Sequence, residues 1–509
     1  MKFLQLLDGA EVLFQQGNPE ITGIEYDSRQ VRQGNVFVAM RGEKTDGNRY
    51  IDSAIKAGAA AVVSDSKEVS PLEEIGWAQV PHGRRALARL SANFYQRPAE
   101  RLTNAGVTGT NGKTTTTFLI ESILKAEGRK CALVGTVEYH VAQKIFQAPH
   151  TTPEALELNR LFSQALESGV TENVMEVSSH ALVQERAFGI PFDAAVFTNL
   201  TRDHLDYHGT FEEYFAAKRM LFEGCGTEPP RVAILNADDD YGRKLIPLSK
   251  SKSSEVLLYG LVQGDFRTDK VDIGPKGTRF DLILPDAIVP LFSPLIGKVN
   301  VYNILAASAA AYARGCSLEA IAKGVSSLSR VPGRFEQVDC GQPFTVVVDY
   351  AHTDDALRNL TALAREFVRQ AGAAGRVITI FGCGGDRDRS KRPLMGEAAA
   401  AGGDFVVITS DNPRSEDPMA IIRDALPGVQ KTRTRFVVEP DRRKAIELAL
   451  QEARPGDIVL IAGKGHENTQ TTREGVVPFD DVTVTRESLL ALGYQPAQPA
   501  AASLVKVRS

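Results

Sequence analysis

Residues 105–115, Ala-Gly-Val-Thr-Gly-Thr-Asn-Gly-Lys-Thr-Thr, decide the fold of this chain. They begin in an apolar segment that predicts a strand, Ala105–Thr110, and they precede a predicted helix, Phe118–Ala126. Glycines between a strand and a helix allow backbone N–H groups to surround phosphate oxygens. Lys113 can bind the β- and γ-phosphates of a nucleotide, and the Thr114 hydroxyl can bind Mg²⁺. The alternative, a glycine-rich turn with a surface lysine, is disfavoured by the strand–loop–helix context.

Strand-like and helical segments alternate on both sides of this loop, which is typical of a mostly parallel sheet with helices on both faces. A second series begins after Val331-Pro332-Gly333, and a shorter region with a helix at Arg84–Tyr95 precedes a break at Arg97-Pro98. The predicted strands of the three regions are Val36–Met40 and Ala60–Ser64; Cys131–Thr136, Val174–Ser178, Ala194–Asn199 and Val232–Asn236; and Thr345–Asp349, Val377–Phe381, Phe405–Thr409, Phe436–Glu439 and Ile458–Ala462.

The fold class is therefore predicted to be α/β with three domains, and the 509 residues agree with about 100–200 residues per domain. We place an N-terminal domain at 1–99, a central nucleotide-binding domain at 100–332 and a C-terminal Rossmann-like domain at 333–495. Residues 496–509 begin with the composition of a loose tail. The polar motifs repeatedly follow strand ends, where open parallel sheets bind their ligands.

Composition excludes several classes of protein. Hydrophobic residues make up 43% and charged residues 24% of the chain, which are ordinary globular values, and the net charge of -4 gives no sign of a nucleic-acid partner. No apolar run reaches the roughly 20 residues of a membrane helix. Asp8 and Glu11 come too early for a signal peptide, so a cytoplasmic location is expected. Five scattered cysteines without a C-x-x-C pair are expected to be structural.

Acidic and histidine residues follow the strands next to the loop. Glu176 lies near the end of the predicted strand Val174–Ser178. Burial of a carboxylate without a partner costs free energy, so a role as a metal ligand or in an ion pair is favoured. His204 and His208 are four residues apart and could share a helix face. From its spacing alone, His204 could be a metal ligand or a structural residue. A lone histidine is more often a hydrogen-bonded structural residue than a metal ligand.

Lys218 lies on a predicted apolar stripe. Phe211, Phe215, Lys218 and Phe222 follow the i, i+4, i+7, i+11 spacing of one helix face, while Arg219 faces solvent. The lysine side chain then either extends to solvent or is used chemically because it is desolvated.

Taken together, these motifs resemble those of the Mur ligases, ATP-dependent amide-forming enzymes of peptidoglycan synthesis. They occur in the family's order and span nearly the whole chain, and the resemblance implies domains for a uridine nucleotide, for ATP and for an amino acid. The matching motifs are Gly109-Thr-Asn-Gly-Lys-Thr-Thr115, Met175-Glu-Val-Ser-Ser-His-Ala-Leu182, Asn199-Leu-Thr-Arg-Asp-His-Leu-Asp206, Asn303, Pro332-Gly-Arg-Phe-Glu336 and Asp349-Tyr-Ala-His352.

Within the family, the chain resembles ligases that add the third amino acid to UDP-N-acetylmuramoyl-L-alanyl-D-glutamate. Tyr26-Asp-Ser-Arg29 and Asp46-Gly47 resemble their uridine-binding module. Asp411-Asn-Pro-Arg414 resembles the version that selects meso-diaminopimelate, whereas relatives that add lysine lack the arginine. A guanidinium can bind the second carboxylate of diaminopimelate bidentately and would repel the ammonium of lysine. A plain Asn-Pro turn with an exposed arginine is the alternative.

The resemblance also implies a role for each matching residue. Lys218 matches a lysine that the family carbamylates, so that its carboxylate holds a second Mg²⁺ together with His204, while Glu176 and Thr114 hold the first. The expected catalytic residues are Lys113, Glu176, His204, Lys218 and His352. The expected ATP contacts are Gly109, Thr110, Asn111, Gly112, Lys113, Thr114, Thr115, Asn303, Arg334 and Asp349. The expected contacts of the UDP-linked peptide are Ser28, His150, Thr151, Thr152, Ser178, Gln184 and Arg186, and those of the incoming amino acid are Arg387, Asp411, Asn412, Pro413, Arg414, Gly463 and Glu467.

The chain departs from the family pattern at two places. Asp354 stands where the family commonly has proline, which we expect to loosen the loop while leaving Asp349 and His352 in place. Glu43-Lys44-Thr45 matches a uridine-site segment that varies within the family.

The implied reaction starts with transfer of the ATP γ-phosphoryl group to the D-glutamyl side-chain carboxylate. The amine of diaminopimelate then attacks the acyl phosphate, and closure of the C-terminal domain about a hinge at Val331–Phe335 is expected to exclude water. The expected partners are the two substrates, without nucleic acid or membrane, and the chain is expected to be a monomer. Two alternatives remain: a lysine-adding or folylpolyglutamate-type ligase with the same central fold, and a nucleotide-gated binding protein that forms no amide.

Overall fold

Each predicted run of strands and helices forms a sheet of its own in the computed structural model of the chain. The structure describes residues 1–42, 45–370 and 375–495. Glu43 and Lys44 of the predicted uridine segment, and the predicted tail at 496–509, lie outside the described residues.

The N-terminal domain is a five-stranded sheet packed against three helices. The helices are α1 (Phe3–Leu6), α2 (Ile51–Lys56) and α3 (Gly83–Phe94), and the strands are β1 (Phe14–Gln16), β2 (Gly23–Glu25), β3 (Asn35–Ala39), β4 (Ala61–Ser64) and β5 (Gly76–Gln79). The strand order is β1-β5-β4-β3-β2, and all neighbours are parallel except β1 and β5. The predicted strands and the predicted helix of this region form as β3, β4 and α3, each within one residue of its expected ends.

The central domain is built round an eight-stranded sheet. Its strands are β6 (Thr103–Thr108), β7 (Cys131–Val134), β8 (Glu138–Val141), β9 (Lys144–Gln147), β10 (Glu172–Glu176), β11 (Phe192–Phe197), β12 (Val232–Asn236) and β13 (Glu255–Tyr259), and a small antiparallel sheet follows with β14 (Arg267–Gly274), β15 (Gly277–Ile283) and β16 (Ile288–Ser293). The helices are α4 (Lys113–Ala126), α5 (Ala155–Glu167), α6 (Ser179–Val183), α7 (Leu205–His208), α8 (Phe211–Glu223), α9 (Asp240–Lys252), α10 (Lys298–Ala313) and α11 (Leu318–Ser327).

β6 lies in the middle of the central sheet, between β11 and β10, and the three strands run parallel. Their carboxyl ends therefore meet at one edge, which brings together the residues that follow them. The order is β13-β12-β11-β6-β10-β7-β8-β9. Val107, Val174 and Val196 of these strands share one core cluster with Leu119 of α4 and Ile304 of α10.

The predicted strands next to the phosphate loop form, but each ends two residues early. Their last polar residues leave the sheet and build the loops at its edge, and the helix predicted at Phe118 begins at Lys113 instead. The strands concerned were predicted as Ala105–Thr110, Cys131–Thr136, Val174–Ser178 and Ala194–Asn199.

The C-terminal domain is a six-stranded sheet with helices on both faces and a separate hairpin. Its strands are β17 (Glu336–Gln337), β18 (Thr345–Asp349), β19 (Val377–Cys383), β20 (Phe405–Ser410), β21 (Arg435–Val438) and β22 (Ile458–Ala462), and the hairpin consists of β23 (Thr469–Thr472) and β24 (Gly475–Pro478). The helices are α12 (Asp354–Gln370), α13 (Lys391–Gly402), α14 (Pro418–Val429), α15 (Arg442–Glu452) and α16 (Asp481–Ala491). The order is β17-β18-β22-β19-β20-β21, with β17 antiparallel to the parallel rest.

The cysteines are buried and free, in agreement with the expectation that they are structural. Burial raises the pKa of Cys225 and of Cys383 to about 12, so both thiols are protonated at neutral pH. Across the described ranges, no helix combines the length and the apolar character that crossing a membrane requires. The free cysteines are Cys131, Cys225, Cys316, Cys340 and Cys383.

Candidate active site

The phosphate loop connects β6 to α4 at the middle of the central sheet. Gly109 has a φ of +145°, and a Cβ at this position would collide with the Thr198 hydroxyl. Gly112 is the last residue before α4, so the first free N–H groups of this helix lie at the end of the loop. Asn199 Oδ1 accepts the N–H of Asn111 at 2.9 Å and fixes the loop from β11. This backbone arrangement is the one that binds phosphate at a helix N-terminus.

The half-buried Lys113 and the buried Lys218 converge on one carbonyl oxygen of the loop. Lys113 Nζ donates to the carbonyl oxygens of Gly109 and Thr110, both at 2.9 Å, and Lys218 Nζ donates to the same Gly109 oxygen at 2.8 Å. Burial lowers the pKa of Lys113. Burial, together with the charge of Lys113, lowers the pKa of Lys218 well below its ordinary value. The two amines therefore create a site that favours an anion.

The structure places Lys218 inside the protein, on the apolar stripe of α8, and so decides between the two possibilities that the sequence left open. Its relative exposure is 1%, and its Nζ lies 4.4 Å from the centre of the Tyr214 ring. The alternative, in which the side chain extends to solvent, is excluded. The neighbouring Arg219 is exposed and pairs with Glu223 at 3.1 Å, as expected for the solvent-facing charge of the helix.

Glu176 ends β10 without exposed surface. Its two carboxylate oxygens accept the N–H of Thr136 at 2.8 Å and the hydroxyl of Thr136 at 2.9 Å. The Thr136 hydroxyl also lies 3.1 Å from the hydroxyl of Thr151. These partners are neutral, so Glu176 is satisfied without an ion pair to a described residue. Its predicted role as a metal ligand stays a prediction.

Four residues predicted to bind the UDP-linked peptide lie together beside Glu176. Thr152 Oγ1 donates to the carbonyl oxygen of Glu176 at 2.8 Å and accepts the N–H of Ser178 at 3.1 Å. Arg186 donates to the carbonyl oxygen of Thr152 at 3.0 Å and to Gln184 Oε1 at 2.5 Å. The structure thus brings these residues to the edge where Glu176 ends its strand.

Ion pairs connect this cluster to the N-terminal domain. Glu154 lies 3.0 Å from Arg186 Nε and 3.1 Å from Arg84 of α3. His150 is exposed, and the partial desolvation of its imidazole ring lowers its pKa. Ser28 is half-buried in the loop between β2 and β3. Within the described part of the chain, no hydrogen bond joins Ser28 to the other predicted substrate residues.

Asp203, which our sequence reasoning did not select, lies at the centre of a charged cluster between the central and C-terminal domains. Its carboxylate is 3.3 Å from His204 Nε2, 3.6 Å from His352 Nε2 and 3.5 Å from Lys391 Nζ. Burial alone would raise the pKa of Asp203, but these three neighbours hold it well below its ordinary value. The cluster therefore ties His204 to His352 across the domain interface.

The possibility that His204 and His208 share a helix face, which the spacing left open, is not realised. His204 precedes α7 with a φ of +53°, whereas His208 lies inside α7 with its Nε2 2.9 Å from Ser179 Oγ. Burial lowers the pKa of His204 to about 3 and that of His208 to about 4, so both rings are neutral at pH 7. A neutral imidazole is the form that binds a metal.

The described side chains do not form a ready-made metal cluster. Among them, no group of three His, Cys, Asp or Glu residues is arranged to hold an ion. A first metal at Glu176 and a second metal at His204 therefore each need further oxygen donors. The prediction from the sequence assigns the Thr114 hydroxyl to the first metal and a carbamylated Lys218 to the second.

The C-terminal domain contacts the phosphate loop directly. Arg334 donates to the Thr114 hydroxyl at 3.2 Å, and its guanidinium lies 4.6 Å from the centre of the Tyr350 ring. Asn111 Nδ2 donates to Asp355 Oδ2 at 3.0 Å. The two domains thus meet at the loop that is predicted to bind ATP.

Asn303 and Asp349, two further predicted ATP contacts, come from α10 and from the end of β18. Asn303 of α10 accepts a hydrogen bond from the Thr116 hydroxyl at 3.4 Å, on the α4 side of the loop. Asp349 ends β18 and accepts the N–H of Phe335 at 2.7 Å, and burial raises its pKa. Their predicted contacts with ATP stay predictions.

The residues predicted to bind the amino acid come from loops that follow β19, β20 and β22. Asn412 Nδ2 donates to Glu467 Oε2 at 2.7 Å. The fully buried Lys464 donates to Asn412 Oδ1 at 3.3 Å and to Glu467 Oε2 at 3.0 Å. Gly463 has a φ of +119°, and its Cβ would lie 2.6 Å from Asp411 Oδ2. Two of the loops are therefore closely packed against each other.

Two guanidinium groups lie near each other at the same site. Arg414 has a φ of +52° and donates to the carbonyl oxygen of Gly385 at 2.7 Å, and Pro413 before it is buried. Burial and the charge of the exposed Arg387 lower the pKa of Arg414. An anion bound between the two arginines would relieve this repulsion.

Known proteins match the chain along most of its length. Three descriptions of the Mur ligases match it: "Mur ligase family, catalytic domain" over residues 20–95, "Mur ligase middle domain" over 107–311 and "Mur ligase, glutamate ligase domain" over 333–465. A UDP-N-acetylmuramoyl-L-alanyl-D-glutamate--2,6-diaminopimelate ligase from Solibacter usitatus is 54% identical over 94% of this chain and 95% of its own. The chain belongs to the Mur ligase family.

Two further Mur ligases of the same description agree. One from Geobacillus thermodenitrificans is 45% identical over 93% of this chain and 96% of its own. A solved structure is 34% identical with a TM-score of 0.66, and the match covers 97% of this chain and all of that one. The predicted family, the three-domain α/β fold and the ATP-dependent, amide-forming class of enzyme are confirmed. The exact domain boundaries and the roles of single residues stay predictions.

Sequence reasoning missed three charged residues of this Mur ligase site. Asp203 lies inside the motif Asn199–Asp206, next to His204, and Lys464 lies between the predicted contacts Gly463 and Glu467, so the positions of both residues were a usable signal. Lys391 begins α13 four residues after Arg387, and its contact with Asp203 depends on the packing of two domains. No local pattern signals that contact.

Proposed function

We propose that the chain adds meso-diaminopimelate to UDP-N-acetylmuramoyl-L-alanyl-D-glutamate, with ATP, in the synthesis of peptidoglycan precursors. One observation carries this proposal. The guanidinium groups of Arg414 and Arg387 lie near each other, beside the hydrogen-bonded side chains of Asn412 and Glu467. The arginines suit a distal carboxylate, and the amide and carboxylate oxygens suit an ammonium group. The names of the relatives at 54% and 45% identity support the same reaction.

The residues of the phosphate loop fit ATP and Mg²⁺. The backbone cradle from Gly109 to Gly112 has room for phosphate oxygens where a side chain would intrude, and Lys113 would exchange its loop carbonyls for phosphates. Thr114 and Glu176 would hold one magnesium ion. Magnesium bound there would neutralise charge on the transferring phosphoryl group.

We assign the second metal position to His204 and a carbamylated Lys218. The buried Lys218 amine has a lowered pKa, and a neutral amine can attack CO₂, forming an N–C bond and releasing a proton. The carboxylate formed in this way would place an anion beside Lys113, where the unmodified Lys218 adds a second amine. The modification would therefore relieve the repulsion between Lys113 and Lys218.

In the proposed reaction, the D-glutamyl side-chain carboxylate attacks the γ-phosphorus of ATP and the bond to ADP breaks. Thr152, Ser178 and Arg186 would orient this carboxylate, because they form one hydrogen-bonded cluster beside Glu176. The amine of diaminopimelate then attacks the carbonyl carbon of the acyl phosphate and loses a proton as phosphate leaves. Asn412 and Glu467 would hold the amino-acid end of the incoming molecule.

We propose that the C-terminal domain closes over the phosphate loop to shield the acyl phosphate from water. The contacts from Arg334 to Thr114 and from Asp355 to Asn111 support this role. The hinge would be Val331–Phe335, where Gly333 and Phe335 both have positive φ. Both halves of the site come from one chain, so a monomer suffices, and the nucleotide substrates place the reaction in the cytoplasm.

A lysine-adding ligase is the nearest alternative. Two neighbouring guanidinium groups would repel the distal ammonium of lysine, whereas a distal carboxylate would bind both. A nucleotide-gated binding protein without ligase activity is disfavoured, because the acceptor and amino-acid clusters accompany the phosphate loop.

The decisive experiment measures phosphate release from ATP with the UDP-muramoyl dipeptide, in parallel with meso-diaminopimelate and with L-lysine. We expect release with diaminopimelate and none with lysine. Release with lysine would keep the ligase and overturn the proposed specificity. Silence with both amino acids would favour the binding protein.

A further inference from the structure

Arg442 and Asp481 form a fully buried ion pair at the edge of the C-terminal sheet. Neither side chain has exposed surface. Arg442 Nε and one terminal nitrogen donate to the two carboxylate oxygens of Asp481 at 2.8 and 2.7 Å. The removal of two charges from water is costly, so such a pair is weak evidence for stabilisation and calls for another explanation.

The remaining hydrogen bonds of Arg442 reach the ends of two strands. One terminal nitrogen donates to the carbonyl oxygen of Ser410, the last residue of β20, at 3.2 Å. The other donates to the carbonyl oxygen of Ala462, the last residue of β22, at 3.0 Å. β19 lies between β20 and β22, so no ladder hydrogen bond joins those two strands. The guanidinium therefore links two strand ends that the sheet itself does not link.

Both strand ends lead directly into the amino-acid site. The loop after Ser410 carries Asn412 and Arg414, and the loop after Ala462 carries Glu467. The 2.7 Å contact between Asn412 and Glu467 depends on the separation of these two loops. One rigid, planar side chain with fixed donor directions is suited to setting that separation.

We propose that Arg442, held by Asp481, is a positioning residue for the incoming amino acid, because it sets the separation of the two loops that bind it. This inference rests on the proposed function. Arg442 does not enter the site, so its effect would be transmitted through the carbonyl groups of Ser410 and Ala462.

The opposite edge of the same sheet offers a matched control. Arg376 precedes β19 and bonds to Asp457, which precedes β22, at 2.8 and 3.2 Å. It also donates to the carbonyl oxygen of Glu452 at 2.7 Å. Arg376 thus holds the start of β19 to a carboxylate before β22 and to the last residue of α15, and it lies at the amino ends of the strands, away from the amino-acid loops.

The test compares Arg442→Lys with Arg376→Lys in the full-length protein by steady-state phosphate release. Lysine keeps the charge opposite Asp481 but loses the fork that reaches both carbonyls. We expect Arg442→Lys to raise the KM for meso-diaminopimelate about tenfold or more and to leave the KM for ATP within about twofold. Arg376→Lys is expected to lower the melting temperature without changing the KM for the amino acid.

Asp481→Asn keeps the proposal testable if Arg442→Lys does not fold. It leaves the guanidinium in place with a weaker partner, so we expect a smaller rise in the same KM. The proposal would be overturned if either variant had a lower melting temperature and a lower kcat but an unchanged KM for meso-diaminopimelate. If the wild-type protein uses another amino acid, the proposed substrate is wrong, and the same comparison with that amino acid still decides the role of Arg442.

Discussion

The phosphate loop and the amino-acid site lie at the carboxyl edges of two parallel sheets, but they are held in different ways. The phosphate loop is one run of consecutive residues, and its conformation depends on the backbone of Gly109 and Gly112. The amino-acid site is assembled from three separate loops, and buried cations such as Lys464 connect them. The first site is therefore specified locally and the second by long-range packing.

This difference determines what each site tolerates. A locally specified loop tolerates little change, because one added methyl group alters the backbone conformation on which all of its phosphate contacts depend. A site assembled from several loops can lose one connection and still bind its ligand less tightly. We therefore expect large losses of kcat at the phosphate loop and graded increases of KM at the amino-acid site.

The largest effect is expected for Gly109→Ala. The new Cβ would collide with the Thr198 hydroxyl in a backbone conformation that alanine disfavours, and it would displace the carbonyl that Lys113 and Lys218 both contact. We expect diaminopimelate-dependent phosphate release to fall about 1000-fold, mainly in kcat. Gly475→Ala is a matched control, because Gly475 has a φ of +141° with no atom within 4 Å of the added carbon. Equal losses in the two variants would contradict local specification.

The next effect is expected for Arg414→Ala. Removal of the guanidinium deletes the charge-assisted contact proposed for the distal carboxylate, so the KM for meso-diaminopimelate should rise about 100-fold. The KM for ATP should not change, because the phosphate loop is independent of this site. Arg423→Ala is the control, since Arg423 is exposed on α14 and pairs with Asp417. A parallel loss of ATP affinity would show that the two sites are not separately specified.

The same contrast explains what could be predicted from the sequence. The phosphate loop was predicted, because it depends on spacings within one run of residues. The spacing within one helix placed Lys218 on an apolar stripe but left open whether its side chain is buried. The contact of Asp203 with Lys391 was not predicted, because domain packing joins residues that no periodicity relates. The shared helix face that the spacing of His204 and His208 left possible does not form, because His204 adopts a left-handed conformation before α7. The four strands beside the phosphate loop were predicted to end two residues too late, because their polar residues leave the sheet.

A smaller effect is expected for Lys464→Met. The variant keeps the buried volume but removes the donor to Asn412 and Glu467, so the KM for meso-diaminopimelate should rise about tenfold with kcat nearly unchanged. Lys431→Met is the control, because Lys431 is exposed and pairs with Glu397 on the surface. If Lys464→Met lowered kcat and left KM unchanged, the lysine would serve the chemical step rather than the assembly of the site.

The smallest effect is expected for Asp355→Asn, at the contact that joins the phosphate loop to the C-terminal domain. The asparagine oxygen can still accept from Asn111, so phosphate release should change by no more than about threefold. Burial raises the pKa of Asp355, which means that the folded state disfavours the ionised form and loses stability as the pH rises through that pKa. The variant should therefore melt at a higher temperature than the wild type at pH 7, and this gain should disappear near pH 4.

Asp354→Asn is expected to do the opposite at pH 7, because Asp354 pairs with Arg358 at 2.6 Å. A lower melting temperature for Asp355→Asn at pH 7 would mean that the Asn111 contact stabilises the closed domains by more than the burial of the charge costs.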